Sequence, residues 1–358
     1  MSSVRLLRWE RCVLNRGSMA ESFFMEHLKG SQRRVLLISG AGFDPRTLET
    51  PRLIVDASGG ALEAVLIRER RPNPDAGLLA LAEANTDALR RMILSCKIEN
   101  VEIFASDLAV VGGREAARIA SRIDFSRYSD VVVDTSALSR GILFPIVRVL
   151  LENAPKTCNI HLTVVQEPST DRIISAVGCE RATTIHGFKG RLGLESSAKA
   201  AMLWLPQLVA GEVSVLREIY NSILPTPSDV CPILPFPSGN PLDVDALLVE
   251  YRVELGAWEV DPRDVVYAHE NDPLDLYRSI VRLADARERV FRDIGGSEIV
   301  LSPVGSKILS LGALMAAIDR DFPVLFVEAL DFKANLGQLA SRQPGELVHI
   351  WLHGEAYA

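Results

Sequence analysis

The most constraining feature of this sequence is a structural plan that occurs twice. Residues 130–140 and residues 298–307 each run from an apolar segment through a turn of small, hydroxyl-bearing residues to a basic residue at the start of an apolar helix. The two stretches begin 168 positions apart. The same shift aligns two further pairs of apolar segments, namely residues 35–38 with 203–206 and residues 62–67 with 230–235. Because one shift serves all of these pairs, the pattern predicts two similar units in tandem.

Composition and charge limit the class of protein. With 358 residues, 48% of them hydrophobic, the chain is long enough for two ordinary cores. A formal net charge of -7 disfavours general nucleic-acid binding, since phosphate contacts need an excess of Lys and Arg. No apolar run reaches the roughly 18–20 residues of a membrane span, and the charges in residues 1–16 predict no signal peptide. Five cysteines without a CxxC spacing favour a reducing cytoplasm over a disulfide framework.

Apolar strands alternate with helical segments along the chain, which is typical of a parallel sheet covered on both faces. The predicted fold class is therefore α/β, with two tandem Rossmann-like parallel-sheet units related by internal duplication. We predict an N-terminal arm at residues 1–32, which carries a helix at 19–28 but no clear strand. The first unit, with a crossover linker from residue 169 onward, covers residues 33–189, and the second unit with a C-terminal tail covers residues 190–358.

The predicted elements follow from apolar periodicity. In the first unit we predict strands at residues 35–38, 53–55, 64–67, 101–105, 131–133 and 160–165, and helices at 75–94, 114–123 and 142–152. In the second unit we predict strands at residues 202–205, 233–236, 265–268, 299–301 and 324–327, and helices at 212–223, 274–292 and 307–318. The tail is predicted to be a helix followed by a strand at 347–352.

The loop after the first strand is the first candidate ligand site, because ligands of open parallel sheets bind beyond the carboxyl ends of the strands. Gly40 and Gly42 allow a close backbone approach, and Arg46, next but one to Asp44, could meet an anion. Pro45 stands where a dinucleotide fingerprint has its third glycine. A plain strand-to-helix turn explains the same residues.

Two further loops follow the duplicated strands. The first offers Thr135, Ser136, Ser139 and Arg140, whose hydroxyls suit either phosphate binding or helix capping. The second offers Ser302, Gly305, Ser306 and Lys307. A lysine at a helix start is unfavourable next to the helix dipole unless an anion is bound there, so this loop is the stronger ligand candidate.

Other chemistry receives little support from the sequence. His349 and His353 have a spacing that suits a metal on a helix, but Ile350, Trp351 and Leu352 between them indicate a strand, on which the two imidazoles lie too far apart to share a metal easily. No Ser/His/Asp or Cys/His trio is ordered well enough to predict nucleophilic catalysis. Whether the chain is an enzyme stays open, and no catalytic residue is predicted.

The run from Ile299 to Ile318 resembles the signature of CARF domains, the Rossmann-like sensors of cyclic oligonucleotides in prokaryotic antiviral systems. The residues at places comparable to their Thr-Gly-Gly-Thr-Lys turn are Ser302, Gly305, Ser306 and Lys307. Pro303 and Val304 replace smaller residues, and the first unit has Ser139 and Arg140 in place of Ser-Lys.

This resemblance implies a cleft, built by the two units of one chain or by two chains, that binds a cyclic oligonucleotide or another nucleotide. It also implies a separate effector that responds to the ligand. Because no nuclease motif follows in this chain, the signal would pass to a partner protein in a defence complex. Some CARF domains cut their own ligand, which the hydroxyl-rich loops here permit.

Two rival hypotheses remain. A Rossmann-type transferase or hydrolase would use Gly40 and Gly42 as its glycine loop, but Asp56 is then the acid offered to a ribose, and it comes too early in the sequence. A catalytically silent scaffold subunit of a complex would preserve the repeat without binding a ligand.

Overall fold

The computed structural model describes residues 7–29, 33–59, 62–177, 181–192, 200–223 and 229–357. The chain divides into two compact units. The first unit comprises Arg11–Gly178 together with Ala329–Ala358, and the second comprises Cys179–Glu328 together with Met1–Glu10. The parts of the predicted arm at residues 1–6 and 30–32, and of the predicted linker at residues 178–180 and 193–199, lie outside the described residues, as does Cys179.

The first unit is built on a seven-stranded sheet with the order β1-β16-β6-β5-β2-β3-β4. Its strands are β1 (Val13–Arg16), β2 (Val35–Gly40), β3 (Leu62–Arg70), β4 (Cys96–Glu102), β5 (Asp130–Asp134), β6 (Asn159–Gln166) and β16 (Glu346–His353), with β7 (Ile174–Val177) and β15 (Asp331–Ala334) forming a separate pair. Its helices are α1 (Ser18–His27), α2 (Glu49–Ser58), α3 (Ala76–Met92), α4 (Gly112–Ser121), α5 (Arg140–Asn153), α6 (Pro168–Ile173) and α12 (Leu336–Ala340).

The centre of this sheet is parallel, as the sequence predicts. Strands β2 and β5 are buried along their whole length, which agrees with the apolar runs at residues 35–38 and 131–133. They pair in parallel, with Val35 opposite Asp130. The chain leaves β2 toward β3 on one side and later returns to β5 on the other, so the switch point at which such sheets bind ligands lies between the carboxyl ends of β2 and β5.

The second unit has a three-stranded parallel sheet with the order β10-β9-β13. Its strands are β8 (Ala182–Thr184), β9 (Ala201–Pro206), β10 (Asp229–Val230), β11 (Ile233–Pro235), β12 (Val266–Ala268), β13 (Ser297–Ser302) and β14 (Leu325–Val327). Its helices are α7 (Val213–Ser222), α8 (Asp243–Glu250), α9 (Arg252–Ala257), α10 (Pro273–Phe291) and α11 (Lys307–Arg320). Parallel bridges extend the sheet from Gln207 to Ile233 and from Leu301 to Val324.

The two units share a local plan at their ligand edges. The shift that relates them is 167 positions, one fewer than the 168 predicted from the sequence. It brings the start of β5 onto the start of β13 and aligns the bounds of α5 and α11, which are both 14 residues long. Each helix has a serine N-cap, Ser139 or Ser306, followed by a basic first residue. The α/β class with parallel Rossmann-like sheets is confirmed, and the origin of the two units by duplication stays a prediction.

Several predicted elements differ from the structure. The predicted strand at residues 53–55 is wrong: these residues belong to α2, whose buried Ile54 and Ala57 lie on one face of an amphipathic helix. The predicted arm does carry its helix, α1, but it also contains a strand, β1, that pairs with β16.

The unit boundaries also differ from the prediction. The tail folds as a helix and a strand, but β16 pairs with β6 and therefore belongs to the first unit. In the second unit, the backbone N–H of Trp9 donates to the Tyr277 hydroxyl at 3.2 Å, so the chain's opening residues divide between the units. Local periodicity carries no information on such long-range pairing.

Helix packing in the second unit generates a stability prediction. A Cβ on Gly312 of α11 would lie 2.4 Å from the Pro273 carbonyl oxygen, so Gly312→Ala must push α11 away from α10. We expect the free energy of unfolding to fall by about 1–3 kcal/mol, the usual cost of overpacking. The control is Gly256→Ala in α9, where an added Cβ meets nothing within 4 Å and should leave stability equal or higher by up to about 1 kcal/mol. Urea unfolding followed by circular dichroism measures both, and equal effects would contradict the packing interpretation.

Candidate functional site

The ligand edge of the first unit is tightly closed where the two predicted loops meet. Gly40 ends β2, and a Cβ at this position would lie 2.8 Å from the carbonyl oxygen of Ala137 in the loop after β5. A residue with a side chain therefore does not fit here without backbone movement. The carbonyl of Gly42 accepts a hydrogen bond from the Asn85 side chain at 2.9 Å. The structure thus brings the first two predicted loops together, as expected for a switch point.

Two serine hydroxyls of this edge are engaged by a buried carboxylate. Asp134, at the end of β5, accepts hydrogen bonds from the Ser136 hydroxyl at 2.6 Å and from the Ser39 hydroxyl at 3.0 Å. The Ser136 oxygen also accepts from the backbone N–H of Val165. The backbone N–H of Thr135 donates to the carbonyl of Thr163, and the Thr135 side chain is buried. These contacts give Ser136 a structural role, because its hydroxyl joins Asp134 to the backbone of β6.

Arg46 is also bound by acids of its own chain. It is 2% exposed, and its guanidinium forms ion pairs with Asp44 at 2.7 Å and with Asp171 at 2.8 Å. Burial alone would lower the pKa of Arg46, but the two carboxylates outweigh it and raise that pKa. Asp44 in addition caps the short 3-10 helix at residues 45–48. This geometry favours a structural role for Asp44 and Arg46.

A carboxylate that the sequence reasoning missed lies at the start of α5. Glu69, near the end of β3, accepts a hydrogen bond at 2.8 Å from the backbone N–H of Ser139, the N-cap residue. Its other oxygen pairs with Arg71 at 2.9 Å. An acid at this position complements the helix dipole in the way a ligand phosphate would. Arg140, the first residue of α5, is half-buried beside this carboxylate-capped terminus.

Glu69 also replaces the acid considered for a Rossmann enzyme. Asp56 lies on α2, exposed, and not at a strand end, so that assignment was wrong. The strand that follows the glycine loop is β3, and Glu69 is the acid near its carboxyl end. The rule that ligands lie beyond strand ends would have pointed to Glu69 once the strand at residues 64–67 was extended to Arg70.

The third predicted loop connects β13 to α11 in the second unit. The Ser302 hydroxyl accepts a hydrogen bond from the Trp204 indole N–H at 2.9 Å and is fully buried, so it supports the core. Ser306 caps α11 by accepting from the backbone N–H of Leu309. Lys307 is the first residue of the helix and is half-buried.

The ligand edge of the second unit contains a buried acceptor, the side-chain oxygen of Gln207, that has no hydrogen-bond partner among the described residues. Gln207 directly follows β9, is 1% exposed, and donates from Nε2 to the Leu309 carbonyl in the first turn of α11 at 3.2 Å. Its Oε1 has no hydrogen-bond partner among the described residues. A Cβ on Gly305 would lie 2.9 Å from this oxygen, so Oε1 lies directly against the predicted loop. Buried polar atoms are normally paired, and each exception needs a reason.

A second unpredicted cluster lies in the first unit, between α1 and the sheet. Asp130, fully buried at the start of β5, accepts hydrogen bonds on Oδ1 from His27 at 2.9 Å and from His161 at 3.3 Å. The other nitrogen of His161 lies 3.0 Å from His349 of β16. His349 is buried and stacks on Phe23, with ring centroids 4.4 Å apart. His353, the other histidine considered in the sequence, instead contacts the Pro155 carbonyl.

The cluster has a defined charge state. Burial would raise the pKa of Asp130, but hydrogen bonds from His161 and His27 outweigh it and hold that pKa well below its usual range. Burial lowers the pKa of His161, although Asp130 opposes this, and lowers the pKa of His349 further. The site therefore combines a carboxylate that favours its ionised form with two imidazoles, those of His161 and His349, that favour their neutral form. No local motif could reveal it, because its residues come from α1, β5, β6 and β16.

Comparisons with known proteins give little further guidance. No protein-family model and no curated protein matches the chain. Similar solved structures include the glycopeptide N-methyltransferase MtfA complexed with sinefungin, at 13% identity over 48% of this chain and 62% of that chain with a TM-score of 0.23. They also include a protein described as a universal stress protein from Pseudomonas aeruginosa UCBPP-PA14, at 10% identity over 82% of this chain and 92% of that chain with a TM-score of 0.23.

A third similar structure is the rRNA methyltransferase aviRa from Streptomyces viridochromogenes, at 13% identity over 42% of this chain and 74% of that chain with a TM-score of 0.23. The chain spans less than two thirds of the length of MtfA. At such TM-scores these likenesses carry no argument about function, and the α/β class rests on the sheet topology itself. Within the part of the chain that the structure describes, no helix has the length and apolar character needed to cross a membrane.

The ion pairs of Arg46 generate a prediction about its role. We expect Arg46→Met to lower the free energy of unfolding by about 3 kcal/mol, because it leaves the buried Asp44 carboxylate without its cation. Arg52→Met on α2 is the matched control, since Arg52 is exposed and its loss should change stability by less than about 0.5 kcal/mol. Chemical denaturation measures both variants. Unchanged stability of Arg46→Met, with weakened ligand binding, would instead make Arg46 a ligand residue.

Proposed function

We propose that this chain binds a nucleotide at the ligand edge of its second unit, next to Gln207, Gly305, Ser306 and Lys307, and that it acts as a sensor of that nucleotide. The observation that carries the proposal is the buried Oε1 of Gln207, which lacks a hydrogen-bond partner among the described residues and lies against the loop at the start of α11. A helix start alone would be weak support. The unsatisfied acceptor beside it is an independent indication of a ligand.

The two features together select the ligand's chemistry. The N-terminus of a 14-residue helix, with a lysine as its first residue, favours an anion such as a phosphate. The Gln207 oxygen can only accept, so it favours a hydroxyl or amino donor. A nucleotide carries both groups, with phosphate oxygens a short distance from ribose hydroxyls and base amines. A small rearrangement of the loop around Gly305 would give the donor access to the buried oxygen.

The second unit is the better candidate of the two because the first unit supplies its own anion. Glu69 binds the N-cap of α5, and its charge disfavours a phosphate at that helix start. The corresponding strand of the second unit, β11, ends at Pro235 and is followed by Phe236, and neither residue carries a carboxylate. Both units retain a serine N-cap and a basic residue. In the first unit the buried Ser139 hydroxyl also has no hydrogen-bond partner among the described residues, but the Gln207 oxygen of the second unit differs from it because it can only accept.

A sensor also needs an output, for which we propose a partner protein. The resemblance of residues 299–318 to CARF domains supports a nucleotide second messenger, such as a cyclic oligonucleotide, and a prokaryotic antiviral setting. A sensor changes its partner's state through contacts that differ between its bound and ligand-free forms. We therefore expect the nucleotide to alter the affinity for the partner or the partner's activity, rather than merely to stabilise this chain.

Lys307 gives a direct test of the helix-start site. We expect Lys307→Ala to weaken nucleotide binding by about 1.5–3 kcal/mol, the range of a hydrogen bond to a charged group, with an almost unchanged melting temperature. The control is Lys189→Ala, which removes an exposed lysine of the same unit and the same charge. Isothermal titration calorimetry measures affinity, and differential scanning calorimetry measures stability. Equal losses of both would make Lys307 structural, and unaltered affinity would exclude this loop from the site.

Gln207 gives a test of the acceptor. Gln207→Met keeps the side chain's length but removes both the unpaired oxygen and the Nε2 bond to Leu309. Because an unsatisfied buried acceptor costs about 1–3 kcal/mol, its removal should offset the lost bond and change stability by no more than about 1 kcal/mol. Nucleotide affinity should fall by about tenfold, as expected for one lost hydrogen bond of about 1.4 kcal/mol. Unchanged affinity would show that the ligand does not use this oxygen.

The identity of the ligand can be tested without prior assumption. Native mass spectrometry of the purified chain would detect a co-purifying small molecule, and titration with linear and cyclic oligonucleotides would rank candidates. A nucleotide that binds and changes a partner's activity supports the proposal. S-adenosylmethionine or NAD in place of a signalling nucleotide would support an enzyme instead. Absence of binding below roughly millimolar concentration, which corresponds to about -4 kcal/mol, would leave the scaffold hypothesis.

A further inference from the structure

The geometry of the buried cluster in the first unit points to a metal site. We infer that His27 and His161, through their Nε2 atoms, and Asp130, through Oδ1, bind one divalent transition-metal ion of the zinc class. The three ligand atoms lie within 4.8 Å of one another. This site is distinct from the proposed nucleotide site, which lies in the other unit of the chain.

The distances suit tetrahedral coordination. The Nε2 atoms of His27 and His161 lie 2.9 and 3.3 Å from Asp130 Oδ1. Zinc bonds to nitrogen and oxygen are about 2.0–2.2 Å long, so neighbouring ligand atoms of a tetrahedral site lie about 3.3 Å apart. Small side-chain rotations therefore suffice to admit the ion. Two imidazoles and one carboxylate form a common zinc-binding set, which leaves one position for water.

The hydrogen bonding of Asp130 supports the same conclusion. Oδ1 faces three nitrogen donors at once, because the side-chain amide of Asn159 also donates to it at 2.9 Å. A carboxylate oxygen has about two lone-pair sites, so three donors exceed its capacity. A metal ion would replace both imidazole contacts by a single bond and leave the second lone pair to Asn159. Oδ2 accepts from the Ser129 hydroxyl at 2.7 Å and would hold the carboxylate in place.

The surrounding contacts resemble those that orient metal ligands. His161 Nδ1 lies 3.0 Å from His349 Nε2, and His349 Nδ1 lies 3.1 Å from the side-chain amide of Asn15. Partners of this kind fix the ring orientation of a metal-binding histidine. The cation Arg33 approaches Asp130 only at 3.5 Å, on Oδ2, and is bound by Glu355 through two contacts of 3.0 Å. Glu355 thus compensates most of the Arg33 charge, and Arg33 contacts Oδ2 of Asp130, not the Oδ1 atom that would bind the metal.

Metal binding requires a change of tautomer along this chain. Without metal, Asn15 donates to His349, His349 donates to His161 through Nε2–H, and His161 donates to Asp130 through Nε2–H. With metal, His161 Nε2 must offer its lone pair, so its proton resides on Nδ1 and is donated to His349. His349 then carries its proton on Nδ1, and the Asn15 amide rotates to accept it. Asn15 suits this role because an amide can both donate and accept.

The ion would join distant parts of the first unit. His27 ends α1, Asp130 begins β5, and His161 lies in β6, so one ion would connect the N-terminal helix to the centre of the sheet. The His27 side chain is 10% exposed, whereas those of Asp130 and His161 are fully buried, so solvent reaches the site from the α1 side. Binding to the folded state alone must stabilise the unit.

Metal titration of the full chain tests the site. After chelation and dialysis, we expect one Zn²⁺ or Co²⁺ per chain by elemental analysis, with the visible absorption of tetrahedral Co²⁺ and a higher melting temperature. His27→Gln and His161→Gln should each abolish stoichiometric binding. The matched control is His353→Gln, which removes a histidine from the same strand as His349 and should bind the metal normally. Equal loss in the control, or binding unaffected by His27→Gln, would overturn the proposal.

A second measurement follows the histidine tautomers in the wild-type chain, and a third uses a variant outside the three metal ligands. In the wild-type chain labelled with ¹⁵N-histidine, addition of Zn²⁺ should move the proton of His161 from Nε2 to Nδ1, and that of His349 likewise, which nitrogen chemical shifts report. The conservative variant His349→Gln should retain binding but weaken it by about 10–100-fold, as expected for a residue that only positions a ligand. Unchanged tautomers at saturating Zn²⁺ would mean that the cluster is a hydrogen-bond network without a metal.

Discussion

A carboxylate buried in a protein must be met by donors or cations, and this requirement shapes the first unit. Asp134 draws Ser39 and Ser136 together, and Asp44 holds Arg46. Glu69 supplies the charge at the start of α5. Of the side chains that make this edge attractive as a ligand site in the sequence, Ser136 and Arg46 are thus engaged by acids of the same chain. The second unit has an amide, Gln207, at its ligand edge, and the Oε1 atom of this buried side chain has no hydrogen-bond donor among the described residues.

The same requirement explains why α1 belongs to the first unit. Asp130 is buried, and one of the donors that meet its Oδ1, His27, comes from α1. The aromatic ring of Phe23 packs against His27 and His349, which encloses the cluster on the helix side. A buried charge that loses one partner costs several kcal/mol, so α1 is coupled to the sheet through this one carboxylate.

How far the sequence could predict this structure depends on the range of the interactions. Strands β2 and β5 contain the apolar runs at residues 35–38 and 131–133, and these local signals predicted both strands and their place in a parallel sheet correctly. The strand predicted at residues 53–55 was wrong, because three apolar residues fit a strand or the face of a helix equally well. The ion pair of Arg46 with Asp171 and the ring contact of His27 with His161 join residues far apart in sequence. The sequence located the three loops from the ends of the strands. It could not show which of their side chains already bind other residues of the chain.

The comparison of the two helix starts shows what distinguishes a ligand site from a structural turn. Both α5 and α11 begin with a serine cap and a basic residue, so this pair alone does not define an anion site. The difference comes from the neighbouring strand, which offers Glu69 in the first unit and the uncharged Pro235 in the second. Because the helix dipole favours one negative charge within its first turn, a terminus that already holds a carboxylate gains little from a phosphate. At the end of β11 neither Pro235 nor Phe236 carries such a charge, so this strand would repel a phosphate at the start of α11 less than Glu69 would at the start of α5.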